Sequence, residues 1–143
     1  MNPRLLQSND FDHGYLQLLS QLTTVGTITQ QQFQQQLSNI QQNPNHLIYV
    51  IQDNETNQII ASGTLLIELK FIHEISKVGH IEDIIVDKNY RGYGLGKIII
   101  NHLVQKAKEH NCYKVILDCT QDNVAFYEKC GFTSKEIEMV QYF

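Results

Sequence analysis

Val86-Asp87-Lys88-Asn89-Tyr90-Arg91-Gly92-Tyr93-Gly94-Leu95-Gly96-Lys97, residues 86–97, decides how this chain reads. Three glycines stand at alternate positions between an apolar, β-branched run that ends at Val86 and a helical apolar pattern that starts at Lys97. Glycine admits positive φ and lets backbone amides approach a ligand closely. The first turn of a helix adds N–H groups without carbonyl partners and the positive end of the helix dipole. Together they make a phosphate cradle. The plain alternative is a glycine-rich connector with no ligand. Spacing narrows the kind of cradle. A P-loop ending on Gly96-Lys97 would need glycine where Arg91 stands and Ser or Thr where Ile98 stands. A dinucleotide fingerprint begun at Gly92 would need glycine at Lys97. Neither condition is met, which leaves Arg91-x-x-Gly94-x-Gly96.

Upstream of this loop, Val78 to Val86 reads as a strand. Before it come two more, His46 to Gln52 and Ile59 to Leu69, the latter interrupted by Gly63. The turn chemistry of Asp53-Asn54-Glu55-Thr56-Asn57 separates those two. Earlier still, Phe33, Leu37 and Ile40 recur at i, i+4, i+7 through a glutamine-rich run, which predicts an amphipathic helix capped by Thr29 and ended by Asn43-Pro44-Asn45. Leu16, Leu19 and Leu22 predict a first helix, and residues 23–29 a loop. Downstream, Lys97 to His110 is a helix, Tyr113 to Cys119 a short buried strand, and Asn123 to Cys130 a short helix closed by Gly131. Phe132 to Phe143 is a final strand. Hairpins come first and a strand–loop–helix–strand unit second. The fold class is therefore mixed α/β, a central, mostly antiparallel mixed sheet flanked by helices. No repeat or linker interrupts residues 1–143, so one domain is expected.

Composition excludes several functions. Apolar residues make up 42% of the 143, enough for a core. Eleven basic against fifteen acidic side chains give a net charge of −4, which argues against a general nucleic-acid binder. Cys112, Cys119 and Cys130 are odd in number and form no C-x-x-C pair, as expected for reduced thiols in a cytoplasmic protein without a zinc site. Met1 to Asp10 has no apolar h-region, and no run of about 18 apolar residues exists, so neither a secretory signal nor a membrane span is expected.

The pattern [QR]-x-x-G-x-[GA] between strand and helix, met by Arg91, Gly94 and Gly96, resembles the acetyl-CoA loop of the GNAT superfamily of N-acetyltransferases. Other blocks are similar to its sugar-phosphate branch, the glucosamine-6-phosphate N-acetyltransferases. They are Leu22 to Thr29, Ile72-His73-Glu74, Gly79 to Ile84, Ile116 to Cys119 and Asn123 to Phe132. The resemblance implies acyl transfer from acetyl-CoA to the 2-amino group of glucosamine 6-phosphate, with no metal. It implies a CoA pyrophosphate held by backbone amides of Arg91, Gly92, Tyr93, Gly94, Leu95, Gly96 and Lys97. It implies a pantetheine arm beside Ile84, Ile85 and Val86, with a backbone N–H there stabilising the oxyanion. Asn123, Phe126, Tyr127 and Lys129 would complete the cofactor site.

The same resemblance assigns chemistry. Tyr127 would be the general acid that protonates the leaving thiolate, since a phenol titrates near about 10. A core tyrosine beside Phe126 is the bland alternative. Glu82 and Asp83 are adjacent acids in an apolar strand, where uncompensated carboxylates are costly. Strict alternation would send them to opposite faces. Both suit a cationic amine and sugar hydroxyls. Asp118 would orient or deprotonate the amine, or else it caps a turn. Cys119 would line the substrate pocket; no histidine partner marks it as a nucleophile, and members of the superfamily transfer directly. Thr23, Lys70, His73 and Glu74 would hold the sugar phosphate, though Thr23 also reads as a helix end and His73 as a strand-end histidine.

The resemblance further implies an intertwined homodimer in which the last strand crosses to the partner. One departure stands out. Relatives commonly carry a C-terminal arginine for the phosphate, and this chain ends Glu138-Met139-Val140-Gln141-Tyr142-Phe143. Two other readings stay open: an acetyltransferase for another small amine or a protein amine, and a non-catalytic CoA-binding module.

Overall fold

A computed structural model describes residues 1–143. One sheet holds β1 (Arg4–Leu5), β2 (His46–Gln52), β3 (Ile59–Leu69), β4 (Lys77–Val86) and β5 (Lys114–Ile116), in that spatial order. Pairing is antiparallel from β1 through β4, and β5 joins β4 in parallel. The helices are α1 (Tyr15–Leu19), α2 (Gln30–Gln41), the short turn α3 (Ile72–Ile75), α4 (Leu95–Glu109) and α5 (Val124–Lys129).

Helices cover both faces of the sheet. On one, Ile99, Ile100, Leu103 and Ala107 of α4 pack on Tyr49, Ile51, Ala61, Leu65, Ile67 and Ile81. On the other, Tyr15 and Leu18 of α1 and Phe33 and Leu37 of α2 pack on Leu6, Val50, Ile59 and Ile85. The glutamine-rich run is helical because its apolar stripe is buried and its start is capped. Gln32 N donates to Thr29 Oγ1 at 3.2 Å and Thr29 N to Gln32 Oε1 at 2.9 Å. This reciprocal box contributes about 1 kcal/mol.

Four expectations need correction. Residues 132–143 form no strand within this chain, and Lys135 to Phe143 are exposed, because β5 is too short to template another strand beside it. Tyr113 to Cys119 is not a buried strand; only Lys114–Ile116 pair, and that edge is half exposed. The first helix stops at Leu19, leaving Leu22 exposed at 42%. Alternation along β4 breaks at Asp83. Thr64 pairs with Glu82 and Ser62 with Ile85, so Gly63 opposes both Asp83 and Ile84. Asp83 adopts φ +50 and is exposed. The extra residue is a β-bulge. It lets Ile84 join Ile81 on the α4 face while Ile85 turns to the α1 face.

The two-residue strand β1 gave no sequence signal. It is held by a buried ion pair: Arg4 Nη2 donates to Asp10 Oδ1 at 2.7 Å and Nη1 to Oδ2 at 2.9 Å, with Asp10 fully buried. Arg4 Nη2 also donates to Gln52 Oε1 at 2.9 Å.

Candidate active site

β4 and β5 pair only where Val78, Gly79 and His80 meet Lys114, Val115 and Ile116. Beyond His80 the two diverge, so Ile81 to Val86 has β3 on one edge and no strand on the other. An extended ligand arm can add to such an edge as a strand would. The bulge re-aims this edge at the open side of the wedge.

The wedge ends on the glycine loop. Asp87 caps a 3-10 turn at Lys88–Tyr90, and its Oδ1 accepts Asn89 N at 2.8 Å. Gly92 and Gly94 adopt φ +87 and +81, and a Cβ on either would meet nothing within 4 Å. Their backbone therefore requires glycine while open space lies over them. Gly94 is the N-cap of α4 and supplies no side-chain acceptor. From Arg91 to Lys97, seven consecutive backbone N–H groups donate to no carbonyl and no side chain. A phosphate-bearing cofactor fits this array, since unpartnered amides at a helix start favour an anion. Gly96 has another reason. A Cβ there would lie 3.1 Å from Phe126 Cζ, because α5 packs over the first turn of α4.

The side chains expected to do chemistry gather at the wedge mouth around Asp118. Burial raises the Glu82 carboxyl above its ordinary range, and the charges of Asp118 and Asp83 push it the same way. Burial raises the Tyr127 phenol, aided by Cys119, Cys130 and Asp118. Tyr127 is wedged edge-on between Phe126 and Phe132, with ring centroids 5.0 and 6.0 Å away. The fold thus brings Glu82, Asp83, Asp118, Cys119 and Tyr127 into one electrostatic neighbourhood. Asn123 stands at the N-cap position of α5 without a side-chain cap, and Lys129 lies exposed in the last turn of that helix.

Three expected substrate residues lie apart from that cluster. His73 and Glu74 belong to α3, at the far end of β4. Ser76 lies six residue steps along the chain from Glu82, or about 20 Å. His73 rests on Tyr113 with ring centroids 4.7 Å apart. Lys70 Nζ lies 3.2 Å from Glu68 Oε2, and Glu68 Oε1 lies 2.8 Å from His80 Nε2. This row of charges leads back towards Glu82, whose carboxyl His80 pulls down slightly against the larger upward effects. Thr23 is exposed, one turn past α1, with its N–H on Leu19 O at 3.2 Å.

Sequence reading missed two parts of this neighbourhood. Glu138 of the tail reaches Asp118, whose charge and hydrogen bond raise the Glu138 carboxyl. Gln21 reaches the turn that opens the glycine loop, with its Nε2 donating to Asp87 Oδ2 at 2.8 Å. Neither residue belongs to a motif or a period, so no local signal marked it. No three His, Cys, Asp or Glu side chains cluster so as to hold a metal ion. No helix is long and apolar enough to cross a membrane.

Residues 14–132 match the family described as Acetyltransferase (GNAT) family. The glucosamine 6-phosphate N-acetyltransferase of Arabidopsis thaliana is 42% identical over 141 residues, covering 98% of this chain and 95% of the relative. Glucosamine 6-phosphate N-acetyltransferase 1 of Dictyostelium discoideum is 45% identical over 140 residues, covering 97% and 88%. The crystal structure of the Arabidopsis thaliana enzyme matches with a TM-score of 0.98 at 41% identity, covering 99% of this chain and 97% of that one.

Proposed function

Because the chain belongs to the acetyltransferase (GNAT) family, we propose that it transfers acetyl from acetyl-CoA to the 2-amino group of D-glucosamine 6-phosphate. The products are N-acetylglucosamine 6-phosphate and CoA, in the route to UDP-N-acetylglucosamine. The observation that carries the reading is the run of seven unpartnered amides at the end of the wedge, with Asp118 near enough to Tyr127 for its charge to help raise the phenol.

Acetyl-CoA supplies an activated thioester carbonyl. The amides of Arg91 to Lys97 hold its pyrophosphate, and the free edge of Ile84 to Val86 aligns its extended arm. A backbone N–H on that edge stabilises the oxyanion. Asp118 accepts a hydrogen bond from the sugar amine and takes its proton as nitrogen bonds to the acyl carbon. Glu82 and Asp83 add negative charge that draws the cationic amine in, and it loses one proton to solvent so that the neutral amine is the nucleophile. As the carbon–sulfur bond breaks, Tyr127 gives its phenolic proton to the thiolate. Its raised titration keeps that proton in place at neutral pH. Transfer is direct, within a ternary complex. Cys119 contacts substrate and forms no acyl intermediate.

The working unit is a homodimer of single-domain subunits in the cytoplasm. The three free cysteines suit a reducing compartment. Ile137, Met139, Tyr142 and Phe143 are exposed in the tail, and Phe71 and Ile75 are exposed beside α3, which suits strand exchange with a partner. In that arrangement Lys70, His73 and Glu74 line the partner's site and meet the sugar phosphate there.

A second reading, an unphosphorylated amine acceptor, has one observation in its favour. The chain has only two arginines, Arg91 in the cofactor loop and Arg4 bound to Asp10, so no arginine is free for a sugar phosphate. Thiol release from acetyl-CoA with glucosamine 6-phosphate, glucosamine and spermidine in parallel separates the two. Turnover with the sugar phosphate alone is expected. Turnover with glucosamine or spermidine instead would overturn the substrate and leave the family standing.

A further inference from the structure

We propose that Gln21 is a positioning residue that clamps the cofactor loop to the Thr23 loop, so that the affinities for acetyl-CoA and for the acceptor depend on one carboxamide. The inference rests on the function proposed above for what the cofactor loop binds, and on Thr23 meeting the acceptor as the family resemblance implies.

Both polar ends of the Gln21 side chain engage the same turn. Its Nε2 donates to Asp87 Oδ2 at 2.8 Å, and its Oε1 accepts Lys88 N at 2.9 Å. Asp87 is the hinge of the loop. Its N–H donates to Ile60 O at 2.8 Å, its carbonyl accepts Tyr90 N at 2.9 Å, and its free Oδ1 accepts Asn89 N at 2.8 Å. Tyr90 is braced in turn by its hydroxyl on Asp53 Oδ2. The array from Arg91 onward therefore starts from a turn fixed at both ends.

Gln21 stands in the turn that continues α1, with Gln21 N on Leu18 O at 3.0 Å and Thr23 N on Leu19 O at 3.2 Å. Only Leu22 separates the clamp from Thr23. Beneath the clamp is a hollow of about 220 Å³, lined by Gly14, Gln17, Gln21, Thr56, Asp87 and Tyr90 among others, where close packing could have joined these elements. Side-chain hydrogen bonds bridge the gap instead. Glutamine suits the position because only a side chain with both a donor and an acceptor can satisfy a carboxylate and an N–H at once. A glutamate would face Asp87 with like charge.

The test is a polarity swap. Gln21→Glu keeps the acceptor for Lys88 N but repels Asp87. Gln21→Glu with Asp87→Asn restores every hydrogen bond, with donor and acceptor reversed only between residues 21 and 87. Circular dichroism and thermal melting first establish that each variant is folded, and Gln21→Ala replaces Gln21→Glu should the latter fail to accumulate. KM for both substrates, kcat and the calorimetric Kd for acetyl-CoA are then measured. The expected result is a rise of about tenfold in each KM, with kcat within about twofold and recovery in the swapped pair. A purely structural role would lower the melting temperature and leave both KM values alone, and that outcome overturns the proposal. A rise in only one KM, or no recovery in the swap, overturns it too. Should the wild-type protein fail to acetylate glucosamine 6-phosphate, the substrate reading falls by itself. The acetyl-CoA Kd of wild type, Gln21→Glu and the swapped pair then still decides whether the clamp orders the cofactor loop, and an unchanged Kd sinks it.

Discussion

Gly63 passes Ile84 so closely that a Cβ on Gly63 would lie 2.6 Å from Ile84 Cδ1. The same Cβ would stand 2.7 Å from Ile99 Cγ2 and 3.0 Å from Leu103 Cδ1. The bulge in β4 turns Ile84 into this space, and α4 closes it from above. Gly63→Ala is therefore expected to destabilise the fold by about 1–3 kcal/mol through overpacking. Displacing Ile84 also displaces the free edge proposed to receive the cofactor arm, so acetyl-CoA affinity should fall with it. Urea unfolding and calorimetric titration check both effects. Loss of stability with unchanged acetyl-CoA affinity would separate the bulge from the cofactor site.

Much of this arrangement was legible in the sequence. β2 at His46–Gln52 and β3 at Ile59–Leu69 lie where the β-branched runs placed them, and α2 follows Phe33, Leu37 and Ile40 beyond its Thr29 cap. These elements are fixed by local periodicity and capping, which a window of residues contains. The glycine loop was legible for the same reason, as positive φ at Gly92 and Gly94 is a local demand. What was hidden depends on distant pairing. The bulge exists because β3 and β4 align at two registers around Gly63. Gln21 meets Asp87 across 66 positions. The tail lacks a strand because β5, the edge strand beside it, pairs over only three residues, which no property of residues 132–143 reveals.

Tyr127 lies between two aromatic rings with its phenol titrating above the ordinary range, first because of burial. Tyr127→Phe keeps the ring packing and removes only the proton. A fall in kcat of about 10²–10⁴-fold is expected, with the acetyl-CoA Kd unchanged. In the wild-type enzyme, the alkaline limb of the kcat profile should begin only above the ordinary tyrosine pKa of about 10. Unchanged turnover in Tyr127→Phe would remove the phenol from the mechanism.

Glu82 links stability to pH through its proton. In the unfolded chain it titrates near about 4.3. In the fold it titrates higher, because of burial and then the charges of Asp118 and Asp83. Between those two values the folded state holds a proton that the unfolded state has lost. Stability thus falls as pH rises through that window and stays lower above it. Glu82→Gln escapes this loss. Its melting temperature should exceed that of wild type near about pH 7 and converge with it near about pH 4, while its turnover falls. A difference that is the same at both pH values would show that the carboxylate is not strained by its neighbours.

The tail and α3 carry two kinds of unresolved cost in an isolated chain. Met139 is 93% exposed and Phe71 91%, which leaves apolar surface in water. His73, Glu74 and Ile75 hold φ of +50, +57 and +61, a left-handed conformation that a β-branched residue such as Ile75 adopts only under constraint. A second copy of the chain would remove the first cost by burying that surface and would supply the constraint for the second. The wild-type protein should sediment as a dimer at micromolar concentration, and deletion of residues 134–143 should give monomer or aggregate. That deletion also removes Glu138 from Asp118, so turnover should fall further than the loss of dimer mass alone accounts for. Sedimentation equilibrium and turnover on the same samples check this. A wild-type monomer with full activity would overturn strand exchange and require Lys70 and His73 to act, if at all, within their own chain.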